Sequence, residues 1–288
     1  MSDALHLDLD GVWAGNRLVN DRLDATDWGP KLRFAAPSRL IEQFFSEVQS
    51  GLRTFVLYGS GDFHHLTALW LRKISEPFVL VSFDNHPDWD IRPPKWSCGA
   101  WINRALELPN VQRVSVWGCG NFECWWPGQM FGNRTAERRG TLEVHPWADD
   151  RPAAQRERRG AIMRTDWKDR FDRFVESIAG MAIYVTIDMD CLVANEAVTN
   201  WESGRFTGDE VVWALQKLRK SCRITGGDLC GAYSEPRYAR WKQRLAANFD
   251  HPKLVQPPTD KIREINFNTL AKIWPALVGG SSGGSPMI

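Results

Sequence analysis

The sequence lacks the features that mark several large classes of protein. No two of its six cysteines are separated by two residues, which excludes zinc-ribbon and thioredoxin-type motifs. No apolar run approaches the ~18 residues of a membrane span, and the first residues lack the basic region and apolar stretch of a signal peptide. The net charge is +1, which indicates no nucleic-acid surface. We therefore expect a cytoplasmic protein whose partners include neither a nucleic acid nor a membrane.

What is present is typical of one large α/β domain. Hydrophobic residues make up 43% of the 288 residues, and charged residues 25%. Short apolar runs alternate with segments whose apolar residues recur at helical spacing, which predicts a three-layer α/β/α sandwich around a mostly parallel central sheet. We expect this domain to span residues 1–278, followed by a flexible Gly/Ser tail at 279–288. Strands are predicted at 5–12, 55–58, 79–83, 111–117, 141–144, 182–187 and 222–229, and helices at 37–51, 67–74, 100–108, 166–178, 208–220, 237–249 and 259–277.

Metal-binding residue types follow three of the predicted strands directly. The run 79–83 leads into Asp84, His86 and Asp88, which would face one side of an extended segment because they are two residues apart. Asp188 and Asp190 follow the run 182–187. The third run, 55–58, is followed by Asp62, His64 and His65. One Asp-rich strand end is common, since Asp also caps helices. Three such ends at one edge of a parallel sheet predict a shared metal site.

The residue types of this site indicate its chemistry. Four carboxylates and two histidines form an oxygen-rich set, which suits Mn²⁺ better than zinc. The set is large enough for two ions about 3.5–4 Å apart with bridging carboxylates. Such a pair lowers the pKa of a bridging water and holds hydroxide near neutral pH. The predicted reaction class is metal-assisted hydrolysis.

Three motifs give the sequence a resemblance to the arginase–agmatinase (ureohydrolase) family over about residues 55–235. They are Gly59-Ser60-Gly61-Asp62-Phe63-His64, Asp84-Asn85-His86-Pro87-Asp88 and Ile187-Asp188-Met189-Asp190. The resemblance implies an arginase-like fold with two Mn²⁺ per chain. It implies that His64 and Asp88 bind one ion, that His86 and Asp190 bind the other, and that Asp84 and Asp188 bridge them. His65 competes with His64, because an extra residue sits in the first motif.

Departures from the family pattern bear on the substrate. Cys191 stands where the third motif usually continues to another Asp, and the segment 96–99 lacks the proton-shuttle His of arginases. Asp90 replaces the Asn that helps arginases to hold a free α-carboxylate, and it would repel that group. Gly231 replaces the Glu that grips the guanidinium. These differences favour a peptidyl arginine, hydrolysed to ornithine and urea, over free arginine.

The remaining site predictions concern the substrate side. Asp88 and Glu202 are the candidate catalytic residues, and Asp90, Glu202 and Trp201 are the candidate substrate-binding residues. Glu202 and Trp201 fall where the family's substrate-facing loop would lie. We expect a small-molecule or peptide substrate with a guanidinium group, and the sequence is compatible with a homo-oligomer.

Three other hypotheses remain open at the level of sequence. The first is a metal-dependent deacetylase that acts on an acylated amine, for which His64, His65 and Tyr233 would serve. The second is a non-catalytic arginase-like binding protein that keeps the metal ligands. The third rests on Asp8-Leu9-Asp10-Gly11-Val12, which resembles the nucleophile motif of haloacid-dehalogenase-type phosphatases.

Overall fold

One sheet of eight parallel strands organises residues 3–279, the part of the chain that the computed structural model describes. The strands are β1 (Ala4–Asp8), β2 (Arg22–Asp24), β3 (Phe55–Leu57), β4 (Phe78–Phe83), β5 (Val111–Cys119), β6 (Leu142–Pro146), β7 (Ala182–Asp188) and β8 (Arg223–Cys230). They lie in the order β2-β1-β3-β8-β7-β4-β5-β6, and each neighbouring pair is parallel.

Helices cover both faces of this sheet. They are α1 (Gly29–Leu32), α2 (Ser38–Val48), α3 (Thr67–Trp70), α4 (Trp101–Leu106), α5 (Arg134–Arg139), α6 (Ala153–Arg156), α7 (Trp167–Ser177), α8 (Gly208–Ser221), α9 (Trp241–Asp250) and α10 (Thr259–Val278). Apolar residues of α2, α3 and α4 belong to one buried cluster, whereas those of α7, α8 and α10 belong to a second. The predicted three-layer α/β/α sandwich is therefore confirmed.

Strand β4 is apolar at every position except Ser82. Val79, Val81 and Phe83 belong to the cluster with α7, α8 and α10, whereas Phe78 and Leu80 belong to the cluster on the opposite face. Successive side chains of a strand point to opposite faces, and both faces of this sheet are covered by helices. An apolar residue is therefore favoured at every one of these positions.

Several boundaries differ from the predictions. The strand predicted at 5–12 ends at Asp8, because Asp8 Oδ1 accepts the Gly11 N–H and the chain turns there. The helix predicted at 67–74 is a single α-helical turn, α3, continued by a 3₁₀ turn at Leu71–Lys73. Strand β2 went unpredicted because its three residues are mostly exposed and have no apolar pattern.

The structure does not test the predictions made for the two ends of the chain. Residues 1–2 and 280–288 lie outside the described residues, so the division into a domain at 1–278 and a tail at 279–288 remains a prediction. Among the described residues, no helix is both long enough and apolar enough to cross a bilayer.

Candidate metal centre

The six predicted metal ligands meet at the carboxyl ends of three central strands. His64 lies in the 3₁₀ segment Gly61–Leu66 after β3, and the rest directly follow or end β4 and β7. Strands β4 and β7 are neighbours, and β8 alone separates β7 from β3. All six side chains are buried, namely His64, Asp84, His86, Asp88, Asp188 and Asp190.

Two groups of possible ligands share one carboxylate. In the first, His64 Nδ1 lies 3.1 Å from Asp84 Oδ2 and 3.4 Å from Asp88 Oδ2. In the second, His86 Nδ1 lies 2.8 Å from Asp190 Oδ2 and 3.6 Å from Asp84 Oδ1. Two ligands of an octahedral ion with bonds of about 2.1 Å are roughly 3 Å apart. Asp84 therefore presents one oxygen to each group, which is the arrangement of a bridging carboxylate.

Asp188 adds to the first group from the neighbouring strand. Its Oδ2 lies 3.5 Å from His64 Nδ1, and its Oδ1 accepts the backbone N–H of Asp190 at 3.0 Å. The thiol of Cys230 lies 3.5 Å from the same Oδ2, so His64, Asp188 and Cys230 form a third candidate ligand group. The predicted bridging role of Asp188 remains a prediction.

Unpartnered polar atoms show that the cluster fits a cation. His64 Nδ1 and Asp84 Oδ2 are buried and have no hydrogen-bond partner among the described residues. Buried polar atoms are almost always paired, because an unpaired one forfeits its hydration. A divalent cation held between these two atoms would satisfy both of them.

The protonation equilibria of the cluster are strongly perturbed. Burial raises the pKa of Asp88 to about 7 and that of Asp190 to about 6, and the nearby charge of Asp84 adds to both shifts. Burial acts to lower the pKa values of His64 and His86, but their carboxylate neighbours raise both well above the usual value. Several carboxylates buried at one site repel one another unless positive charge compensates them. Bound protons supply that charge in the metal-free protein, and a metal ion would replace them.

Surrounding side chains fix the orientation of the ligands. Thr186 Oγ1 donates to Asp228 Oδ1 at 2.6 Å, so it accepts the Nε2–H of His64 at 2.9 Å. This leaves Nδ1 of His64 to face the carboxylates, where a metal ion would take the place of its proton. On the other side, the indole of Trp101 donates to Asp88 Oδ2 at 2.6 Å. Asp88 has a φ of 46°, a left-handed conformation that Asp tolerates better than most residues.

The structure places His64, rather than His65, among the carboxylates. The His65 ring is buried, and neither of its nitrogens has a hydrogen-bond partner among the described residues. Burial lowers its pKa to about 3, so the ring is neutral. Tyr233, the other residue of the deacetylase hypothesis, donates its hydroxyl to Glu235 at 3.3 Å. Neither residue lines the pocket at the cluster.

The phosphatase-like motif also lies apart from this pocket. Asp8 accepts the guanidinium of Arg22 at 2.6 Å, and Asp10 accepts the backbone N–H of Ser60 at 3.1 Å. The two aspartates thus hold segments of the chain together, and neither is among the residues that line the pocket at the cluster.

A small pocket of about 70 Å³ opens onto the cluster. That volume holds on the order of five waters, or one small planar group. Seven carboxylates line it, and no lysine or arginine does. The pocket therefore favours a cationic ligand. Its lining is Gly61, Asp84, His86, Asp88, Cys98, Gly99, Asn121, Phe122, Glu123, Asp188, Asp190, Trp201, Glu202 and Asp250.

Two of the three predicted substrate residues line this pocket. Glu202 Oε2 lies 3.5 Å from His86 Nε2, and the Glu202 carbonyl accepts the side-chain amide of Asn85 at 2.9 Å. The Trp201 ring meets that of His86 with centroids 5.2 Å apart. Its indole N–H donates to Asp62 at 3.2 Å.

Asp90, the third of these residues, lies outside this pocket, and its role as a substrate contact stays a prediction. Its Oδ1 accepts the backbone N–H of Arg92 at 2.8 Å, and its two oxygens bind the Arg92 guanidinium. The side chain is folded back on this turn, and it lines a neighbouring cavity. Its charge is matched within the turn, so it is not aimed at the metal cluster.

Sequence reasoning missed two acidic residues at the pocket. Burial raises the pKa of Glu123 to about 7, and burial also raises the pKa of Asp250. Glu123 follows β5, so the rule that ligands bind beyond strand ends could have found it. Asp250 is the last residue of α9, and no local pattern links it to the other residues of the pocket.

Comparison with known sequences identifies a relative but no family. No model of a protein family matches the sequence. An uncharacterised protein of Thermotoga maritima is 31% identical over 176 residues, which are 60% of this chain and 55% of that protein. The chain thus matches only about half the length of this relative.

Solved structures match over almost the whole chain. A hypothetical agmatinase from Burkholderia thailandensis has 16% identity and a TM-score of 0.54, and the match covers 98% of this chain and 87% of that one. Arginase from Bacillus subtilis has 11% identity and a TM-score of 0.54, with 99% of each chain covered. Proclavaminate amidino hydrolase from Streptomyces clavuligerus has 15% identity and a TM-score of 0.54, covering 95% and 93%. At these identities the likeness establishes the arginase-type fold.

Proposed function

We propose that this chain, which has the arginase-type fold, is a hydrolase that uses two manganese ions to release urea from an arginine side chain within a peptide. The observation that carries the proposal is the pair of ligand groups that share Asp84 at one end of a pocket lined by carboxylates. A guanidinium is a flat cation, and the three lining carboxylates that are not proposed metal ligands, Glu123, Glu202 and Asp250, favour it by charge.

The donor set supports manganese as the metal. His64 and Asp88 would hold one ion, His86 and Asp190 the other, and Asp84 and Asp188 would contribute to both. Carboxylates and imidazoles suit Mn²⁺, although Cys230 beside Asp188 adds one softer atom. When bound, the ion pair would supply hydroxide at neutral pH and positive charge beside the reacting carbon.

The side chains of this protein would bind and orient the substrate. In the reaction, a water oxygen bonds to the guanidinium carbon, the bond from that carbon to the ornithine nitrogen breaks, and a proton passes to the leaving amine. Glu202, beside His86 at the pocket wall, would accept hydrogen bonds from the guanidinium. The Trp101 indole fixes Asp88 through Oδ2, so Asp88 would orient the attacking water.

Two features favour a peptidyl arginine over the free amino acid. No lysine or arginine lines the pocket, so no cation there would hold a free α-carboxylate. Gly231, where arginases carry a guanidinium-binding Glu, has a φ of 105°. A Cβ at this position would lie 2.2 Å from Asp188 Oδ1, so no side chain fits. The guanidinium would therefore be bound differently, with Glu202 as the nearest candidate.

The test compares three substrates on the manganese-loaded protein. We expect urea from a capped arginine-containing peptide, with conversion of its arginine to ornithine seen by mass spectrometry, and less from free arginine or agmatine. Asp190→Asn should abolish urea release, whereas Asp209→Asn, at a solvent-facing aspartate on α8, should not. Circular dichroism would check that both variants fold.

Two results would contradict the proposal in different ways. Urea from free arginine or agmatine but not from peptides would refute the peptidyl substrate. Two bound manganese ions per chain, measured by elemental analysis, with no urea from any of the three substrates would refute the reaction.

A further inference from the structure

Helix α9 presents its largest apolar residues to solvent. Trp241, Leu245 and Phe249 are spaced four residues apart, so they form one line along the helix, called here the α9 stripe. Their exposed fractions are 69%, 48% and 84%. Exposed single apolar residues are ordinary, but a continuous line of three large ones usually marks an interaction surface.

The opposite side of α9 attaches the helix through smaller residues. Gln243 and Ala247 are its buried residues, and the Gln243 amide donates to the carbonyl of Arg33. Just after the helix, His251 Nε2 lies 2.7 Å from Asp62 Oδ1, so this end of α9 is tied to the segment after β3. A surface helix normally turns its large apolar residues inward. In α9 the large apolar residues face solvent instead, although the C-terminal end of the helix is held in place by the contact between His251 and Asp62.

The α9 stripe ends next to a residue of the acidic pocket. Phe249 directly precedes Asp250, which lines the pocket, and Phe122 lines it from the segment after β5 with 68% of its surface exposed. Glu123 beside Phe122 also lines the pocket. Two of the acidic residues of the pocket, Glu123 and Asp250, are therefore each preceded by an exposed phenylalanine.

We propose that the α9 stripe binds apolar residues of a polypeptide whose arginine side chain enters the pocket. This inference rests on the proposed function and deepens it, because it makes the substrate an extended chain rather than a small guanidino compound. Glu123, Glu202 and Asp250, the carboxylates of the pocket that are not proposed metal ligands, match the cation, and the stripe matches apolar residues beside that arginine.

The test uses two capped substrates, a short acetyl-arginine-amide and a longer peptide with leucine and phenylalanine near its arginine. In the manganese-loaded Phe249→Ser variant, KM for the longer peptide should rise about tenfold, as for the loss of one central contact residue. Its kcat should change little, and kcat/KM for the short substrate should stay as in the wild type. The control is Leu18→Ser, at an exposed leucine in the loop between β1 and β2, near the far edge of the sheet.

Binding measured without turnover separates this inference from the reaction. The fluorescence anisotropy of the labelled longer peptide should show tight binding to the wild type and about tenfold weaker binding to Phe249→Ser. If Phe249→Ser weakens peptide binding but no substrate yields urea, the α9 stripe is supported as a peptide-binding surface and the proposed reaction is refuted. Equal binding to the two proteins would overturn the inference. It would also fail if the variant converted a wild-type dimer to a monomer without changing peptide binding, because the stripe would then be covered by a second copy.

Discussion

Replacing Thr186 by valine should weaken metal binding without touching any of the six ligands. The Thr186 hydroxyl accepts from His64 Nε2 at 2.9 Å and donates to Asp228 Oδ1 at 2.6 Å. Valine has nearly the same shape but makes neither bond. The His64 ring would then lose the contact that places its proton on Nε2 and leaves Nδ1 for a cation.

The expected magnitude follows from the two bonds lost. Removing an outer partner of a histidine ligand typically costs about 10–100-fold in metal affinity, or roughly 1.4–2.7 kcal/mol. The metal-free protein should lose about 2–4 kcal/mol of unfolding free energy, because one of the two bonds involves a carboxylate. Asp228 would keep the hydroxyl of Tyr184, which donates to its other oxygen at 2.8 Å.

Manganese affinity would be measured by calorimetric titration, and stability by urea unfolding of the metal-free protein. Thr186→Ser should restore both quantities, because it retains the hydroxyl. Thr225→Val is the matched control: its hydroxyl donates to the Ile183 carbonyl at 2.9 Å, and it should cost about 1 kcal/mol of stability with unchanged metal affinity. The reasoning would be refuted if Thr186→Val bound manganese as tightly as Thr225→Val.

Three more predictions follow from the site. In the metal-free protein, the pKa of Glu123 is raised to about 7, so the folded state binds more protons than the unfolded chain between about pH 4.5 and 7, and stability should fall as pH rises through this range. Glu123→Gln should reduce this loss of unfolding free energy by at most about 3 kcal/mol, measured by urea unfolding at several pH values. An unchanged dependence of stability on pH would contradict the raised pKa of Glu123. Gly231→Ala should unfold or severely destabilise the protein, whereas Gly180→Ala, with a φ of 78° and open space around its Cβ, should cost only about 1 kcal/mol in the same assay; equal costs would contradict the steric argument. Glu202→Gln should raise KM for the peptide about tenfold in the urea assay, while Asp90→Asn should leave it within about twofold, and the reverse order would restore Asp90 as the substrate contact.

The layered fold was predictable because its signals are local. Runs such as 79–83, which is apolar except for Ser82, are buried on both faces, as expected for a central strand of a parallel sheet. Strand β2 and the end of α3 were not predictable in the same way, since pairing with β1 decides the first and a continuation into a 3₁₀ turn decides the second. Short elements carry too few residues for their pattern to outweigh such contacts.

The choice between His64 and His65 shows where local reasoning ends. Adjacent residues in a 3₁₀ segment point about a third of a turn apart, so only one of them can face the carboxylates. The sequence offers both, and the packing of this segment against Thr186 selects His64. Asp90 shows the same limit: Arg92 is only two residues away, but the turn between them is needed to show that they pair.

By itself, the sequence determined which side chains gather at the sheet edge, because parallel strands end together and residues two apart in an extended segment face the same way. Tertiary structure alone decided the rest of the pocket. Asp250 reaches it from the end of α9, and Asp62 ties that end in place through His251. These contacts join segments almost 190 positions apart, and their formation depends on the packing of whole helices, which leaves no short-range trace in the chain.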